Sequence, residues 1–196
     1  RNGDAIRPRR GCDRRRGDAG LIRVDCERGA NVLLRRGTPR NDDDPALRDL
    51  AAAVAGGAHF VLATGRPPRW IPPVVEGLGF APMAVCANGA VIYDSANDRV
   101  ISARTLPVDV LTELAEIAAR VVPGVGLAAE RVGRSAHDTA TPQFVSAPGY
   151  EHAWLNPDNT EVSYEDLLSA PAVKLLVRKP GTPSSELAAV MARHVG

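Results

Sequence analysis

The sequence predicts an α/β fold, with a parallel sheet inside residues 46–94 followed by an α+β unit over residues 95–196. Three observations carry this. Between Pro45 and Ala87, helical and strand-like segments alternate with short connections, the pattern of βαβ winding. The two strand-like segments there are short unbroken apolar runs, as strands covered on both faces require. Beyond Asp94 the alternation gives way to a hairpin, a long helix and further strands, with no internal repeat.

Residues 1–45 hold no sustained helical or strand period and are rich in arginine, glycine and aspartate, so a disordered arm is expected there. Order begins at Pro45. The segment Pro45–Ala55 has Asp44 as N-cap, proline in the first turn, and Leu47, Leu50, Ala51 and Val54 on one stripe. Gly56-Gly57 stops it. A strand is expected over His59–Thr64, broken by Gly65-Arg66-Pro67-Pro68, and a helix over Trp70–Leu78 with Ile71, Val74 and Val75 inward. A second strand, Pro82–Ala87, is halted by Asn88-Gly89.

Val91–Tyr93 and Val100–Ser102 then read as a hairpin, and Val108–Val121 as a long amphipathic helix. Val125–Val132 alternates like a strand, and residues 133–163 are polar and loop-rich. A helical turn at Glu165–Leu168, a strand at Ala172–Val177 and a helix at Ser184–Val195 complete the chain.

With 196 residues, 44% of them hydrophobic, the chain has material for a sizeable core, which excludes global disorder. No apolar run approaches the roughly 20 residues of a membrane span, so no membrane partner is expected. No apolar stretch follows the early arginines, which argues against a signal peptide. Cys12, Cys26 and Cys86 are odd in number and scattered, fitting a reducing, cytoplasmic setting.

The net charge of +1 conceals a split: residues 1–40 hold twelve arginines against five acids. Such an arm can contact nucleic-acid phosphates. It lacks interleaved aromatics and any nucleic-acid-binding motif, so no nucleic-acid partner is expected. Lys174 and Lys179 are the only lysines in a chain with 22 arginines.

The strongest local signal for chemistry is Thr64-Gly65-Arg66. Ligands of parallel sheets sit beyond the carboxyl ends of the strands. There the Thr64 hydroxyl and the following N–H groups can face one anion, Gly65 permits close backbone approach, and a helix starting near Pro68 offers its positive end. Arg66 adds charge. The alternative is a strand stop in which Thr64 satisfies its own turn, and spacing alone leaves the two readings level. Asn88-Gly89 reads first as a turn, of interest because it ends the neighbouring strand at the same sheet edge. His59, His137, His152 and His194 show no metal-ligand spacing. His152 and Trp154 read equally as a specificity pocket or as surface packing, and Asp42–Asp44 as a solvated helix start.

The segments VLATGRPPRW (61–70), APMAVCANGAVIYD (81–94) and TATPQFVSAPGYEHAWLNPDN (139–159) resemble the haloacid dehalogenase-like hydrolase superfamily, in particular its Cof-type phosphatase branch. The resemblance spans about three quarters of the chain, from Ala46 to Gly196. It implies a partial Rossmann-like core over residues 46–94 and an α+β cap domain over 95–196. It also implies Mg²⁺-dependent hydrolysis of small phosphorylated metabolites through an aspartyl-phosphate. Thr64, Gly65 and Arg66 then match the phosphate-holding second motif, and Asn88-Gly89 the approach to the cap hinge.

The family's first motif, Asp-x-Asp-Gly-Thr, is absent: where it is expected the chain reads Arg28-Gly29-Ala30-Asn31-Val32-Leu33-Leu34. No lysine motif and no Gly-Asp-x-x-Asn-Asp follow the cap-like stretch. The expectation is therefore an incomplete, truncated and inactive copy, with no catalytic and no metal-binding residue of its own, or a non-catalytic module that binds a phosphorylated ligand. A shifted reading frame upstream of Pro45 is the expected cause of the abrupt change in composition. Were Asn41–Asp44 encoded AAC GAC GAC GAC, the bases read one position along would give a run of threonines.

Overall fold

The structure, a computed structural model, describes residues 45–152 and 158–195. The expected arm, apart from Pro45, and Trp154 lie outside the described residues.

Helix α1 spans Pro45–Ala55. Leu47, Leu50 and Val54 form its half-buried stripe. It closes in a Schellman motif: Gly57 N–H donates to the Val54 carbonyl and Ala58 N–H to that of Ala53. Gly57 sits at φ +92°, where a side chain is strained, which explains the glycine.

Strand β1, Val61–Ala63, pairs in parallel with β2, Met83–Cys86, placing Leu62 opposite Ala84. The helix expected over Trp70–Leu78 is α2, Pro72–Leu78, two residues shorter at its start and preceded by a 3-10 turn at Pro68–Trp70. Pro72 and Pro73 have no N–H to continue the ladder of the preceding turn, so the two pieces cannot fuse. After β2 the chain turns through Ala87, Asn88 and Gly89, all with positive φ, into β3, Val91–Asp94. The hairpin then returns along β4, Arg99–Ala103. The first sheet has the order β1-β2-β3-β4, parallel in its first pair and antiparallel beyond it.

Helix α3, Val108–Val121, follows the sequence expectation to the residue. Beyond it lie β5 (Gly126–Glu130), β6 (Phe144–Ser146), β7 (Asn159–Glu161), α4 (Tyr164–Leu168), β8 (Lys174–Arg178) and α5 (Ser184–Met191). The second sheet runs β7-β6-β5-β8.

Two expectations change here. Strand β5 does not alternate: all five of its residues are buried, because it lies mid-sheet and is covered on both faces. Gly126 is required, since a Cβ there would stand 2.6 Å from the Gly149 carbonyl oxygen. Residues 133–163 are not loop throughout but hold β6 and β7, each three residues long and too short to leave a period.

Two cores hold the molecule. Leu111, Ala115, Ala118, Leu127, Val145 and Leu167 fill the second unit. Leu62, Ile71, Ala84, Cys86, Val91 and Tyr93 fill the first, joined there by Ala136 and Val173 from beyond β5. A fully buried aliphatic side chain contributes about 1.5–3 kcal/mol, so Val173 is a real tie between the units. Among the described residues no helix is long and apolar enough to cross a membrane.

Candidate functional site

The parallel pairing of β1 with β2 puts both strand ends at one sheet edge. Thr64 N–H donates to the Val85 carbonyl (2.9 Å), extending the ladder by one residue. Two further backbone bonds then lash the loops together: Asn88 N–H to the Thr64 carbonyl (3.2 Å) and Ala87 N–H to the Arg66 carbonyl (2.9 Å). Thr64-Gly65-Arg66 and Asn88-Gly89, singled out separately in the sequence, therefore form one surface.

Gly65 lies directly under the Asn88 side chain, and a Cβ there would come within 2.6 Å of Asn88 Oδ1. Only glycine lets the Asn88 amide rest over the loop. Asn88 holds its place at φ +59°, a conformation asparagine tolerates better than most residues.

The loop's donors are arranged differently from the expectation. Arg66 N–H donates to Thr64 Oγ1 (3.1 Å), so the hydroxyl accepts within its own turn and its proton remains free to point outward. The helix end expected near Pro68 is a three-residue 3-10 turn, and α2 carries proline at its first two positions. Prolines 67, 68, 72 and 73 lack N–H groups, and Trp70 and Ile71 spend theirs on the carbonyls of Pro67 and Pro68. The positive charge at this edge comes from side chains instead.

Arg66 is exposed, with its guanidinium 5.3 Å from the centre of the Trp70 ring, a cation–π contact. Lys174, at the start of β8, reaches across from the second sheet and donates from Nζ to the Gly65 carbonyl oxygen at 2.5 Å. Burial lowers the pKa of this ammonium, while the Glu130 charge works to raise it.

Beside it Arg69 makes a two-armed contact with Glu130, Nη1 to Oε1 and Nη2 to Oε2, the second at 3.2 Å. Both side chains are more than nine-tenths buried. Burial pushes the Glu130 carboxyl above the ordinary carboxylate range, with the Arg69 fork pulling against it. Arg69 Nε and Trp70 Nε1 both donate to Asp158 Oδ2, at 3.1 and 3.3 Å.

Lys174, Arg69 and Glu130 were not singled out in the sequence. Lys174 and Gly65 are 109 positions apart, and no local pattern links them. The available signal was compositional: a lysine at 174 in a chain that otherwise uses arginine almost throughout.

The remaining candidates lie elsewhere. His152 packs its ring 5.0 Å from Tyr150 and 5.6 Å from Phe144, an aromatic cluster on the second unit. His137 lines a separate cavity of about 300 Å³ with Pro72, Val75, Glu76, Tyr93, Ser95 and Asp98. Cys86 is buried and free, and burial pushes its thiol up to about 12, so it is no nucleophile. Among the described residues no group of three or more His, Cys, Asp or Glu side chains could hold a metal ion.

The family model for haloacid dehalogenase-like hydrolases matches residues 43–196. A Mycoplasma pneumoniae protein named "Putative phosphatase" is 29% identical over 91 residues, covering 45% of this chain and 31% of that protein. Among solved structures, a haloacid dehalogenase-like hydrolase from Bacteroides thetaiotaomicron is 18% identical. That match covers 75% of this chain and 54% of the other, with a TM-score of 0.49. A second Bacteroides thetaiotaomicron structure, described among phosphatases of the same superfamily, is 16% identical, covering 57% and 34%, with a TM-score of 0.38. The chain thus spans about a third of the length of the curated relative and about half that of the first structure.

Proposed function

We propose that this chain, which belongs to the haloacid dehalogenase-like hydrolase family, holds the phosphate group of a small phosphorylated metabolite at the Thr64–Arg66 loop and, as these 196 residues, does not hydrolyse it. The observation that carries the reading is the joining of Thr64-Gly65 to Asn88 at one sheet edge. That edge lies beside a half-buried lysine. The Thr64 hydroxyl proton, the Asn88 amide and the Lys174 ammonium are the donors a phosphate dianion needs. The second sheet, within residues 95–196, acts as the cap over this edge, and the Cof-type branch is the fitting place in the family. Phosphorylated metabolites and the scattered cysteines both suit a cytoplasmic setting.

Hydrolysis through an aspartyl-phosphate needs a carboxylate nucleophile and a second acid. The 196 residues contain no Asp-x-Asp-Gly-Thr. Glu130, the buried acid beside the loop, is engaged by Arg69 on both oxygens. Mg²⁺, which the family implies, does not fit the described residues either. Beside the loop stand the cations Lys174 and Arg66 and a single acid, Glu130, whose oxygens Arg69 holds, and no acidic triad stands among the described residues. The reading therefore contains no metal-dependent step.

Two measurements test it. Inorganic phosphate should bind saturably, and Thr64→Val should weaken it about tenfold or more, the worth of a hydrogen bond to a charged group. With p-nitrophenyl phosphate and Mg²⁺, no turnover above buffer is expected. Turnover at rates of about 1 s⁻¹ or more, ordinary for an enzyme, would overturn the non-catalytic part of the reading. Absence of phosphate binding would overturn the site.

A further inference from the structure

We propose that the cavity between α2 and the β3–β4 hairpin binds a small organic cation, an ammonium group carried on an apolar body. The cavity shares no lining residue with the phosphate loop, so the inference stands independently of that reading.

The cavity measures about 300 Å³, the lower end of the range for ligand pockets. Pro72, Val75 and Glu76 are three and four positions apart, so they share one face of α2 and form one wall. Tyr93 in β3, with Ser95 and Asp98 in the turn that follows, forms the wall opposite. The chain beyond β5 closes the third side. There Val100 N–H donates to the Arg134 carbonyl (2.8 Å), Ala136 is buried in the first core, and His137 reaches the cavity. Pro72, Val75 and the Tyr93 ring give the space its apolar lining.

Charge then selects the ligand. Asp98 is half-buried, and its Oδ1 accepts from the Tyr93 hydroxyl (2.8 Å) and from Ala136 N–H (2.7 Å). Both donors are neutral, so they fix the carboxylate without cancelling its charge, and Oδ2 keeps its lone pairs. Ser95 Oγ donates to the Pro82 carbonyl (2.5 Å), which leaves it an acceptor towards a ligand. Glu76 adds a second, exposed carboxylate at the rim. Among the described residues neither acid enters a salt bridge. The charge of Arg99 falls on Asp94, and that of Arg134 on Asp138.

A metal ion is not the fitting occupant, because Glu76, Asp98 and His137 border the cavity without forming a group that could hold one. Acceptors spread around an apolar space of this size suit a molecule. Its ammonium supplies the counter-charge that Asp98 lacks, and its body covers Pro72 and Val75.

The test uses the full chain and three probes of one shape: benzylamine, benzyl alcohol and benzoate, at neutral pH. Amide shifts in ¹H–¹⁵N spectra report where each binds. Benzylamine should bind saturably at about 1 mM, moving the amides of Val75, Glu76 and Asp98. Benzyl alcohol should bind about tenfold more weakly, and benzoate should not bind. Asp98→Asn keeps the Oδ1 acceptor and suits the backbone there, at φ +45°, so only the charge is lost. It should weaken benzylamine about tenfold. Glu76→Gln should weaken it about threefold, since water screens an exposed charge. Equal binding of alcohol and amine, or undiminished affinity in folded Asp98→Asn, overturns the inference. So does benzylamine that gives no saturable shifts, or shifts centred outside the cavity. If circular dichroism shows that Asp98→Asn fails to fold, the amine–alcohol comparison and Glu76→Gln decide the matter.

Discussion

Gly65 has open backbone angles but no room above it, because the Asn88 side chain occupies the place of a Cβ. The obstacle is the end of a movable side chain, not backbone. Gly65→Ala should therefore cost little stability, about 0.5 kcal/mol or less, while swinging the Asn88 amide off the loop. We expect phosphate affinity to fall several-fold with the thermal midpoint nearly unchanged, and paired calorimetry and melting curves check this. A large drop in the midpoint would mean that the loop is held by the fold rather than shaped for a ligand. The ionisation of Lys174 supplies a second prediction. Its pKa in the folded chain lies below the ordinary 10.5, first because of burial, with Glu130 opposing and Arg69 and Cys86 also facing it. Phosphate affinity should fall as pH climbs through that lowered value, before 10.5. The free folded chain gains stability over the same window, since the unfolded chain still binds the proton that the folded one has released. Lys174→Arg should hold its affinity flat there, as read by phosphate titrations from neutral to alkaline pH.

At the scale of elements, β1 is three apolar residues with a paired neighbour on one side only, among the described residues. An uncharged open edge is a template for strand addition. We expect light scattering to show mass rising with concentration, and Val61→Lys, at a half-buried edge position, to suppress the rise. A mass independent of concentration in the unaltered chain would overturn this. The elements also show where sequence reasoning reaches. Strands β1 and β2 were legible because each is an unbroken apolar run, although the expected cover on both faces is not found and only Leu62, Ala84 and Cys86 are buried. Helix α3 was legible because fourteen residues carry four turns of period. Strands β6 and β7 were not, being three residues each and held by pairing partners rather than by their own composition. The helix expected over Trp70–Leu78 is present but starts two residues late, at Pro72, a backbone effect that side-chain periodicity does not register. Thr64 and Asn88 were legible as strand ends. Lys174 was not, because its role depends on how the second sheet seats on the first.

That seating is the property of the whole molecule on which the site depends. Val173 and Ala136 pack into the first core, Val173 N–H donates to the Glu130 carbonyl, and the Arg69–Glu130 fork sits between the two sheets. Removing one member of a buried charge pair strands the other and typically costs 3–5 kcal/mol, about as much as several buried methyl groups. Arg69→Leu should therefore destabilise the chain by about that amount. It should also weaken phosphate, because Glu130, released from its fork, is free to pair with Lys174 and withdraw it from the loop. The paired replacement Arg69→Met with Glu130→Leu removes both charges, so it should restore most of the stability. It should restore phosphate affinity as well, since no carboxylate is left to compete for the ammonium. Urea unfolding followed by far-ultraviolet circular dichroism gives the stabilities, and phosphate titration of the same proteins gives the affinities. If the pair variant recovered stability but not affinity, Arg69 would be acting on the ligand itself rather than through the position of Lys174.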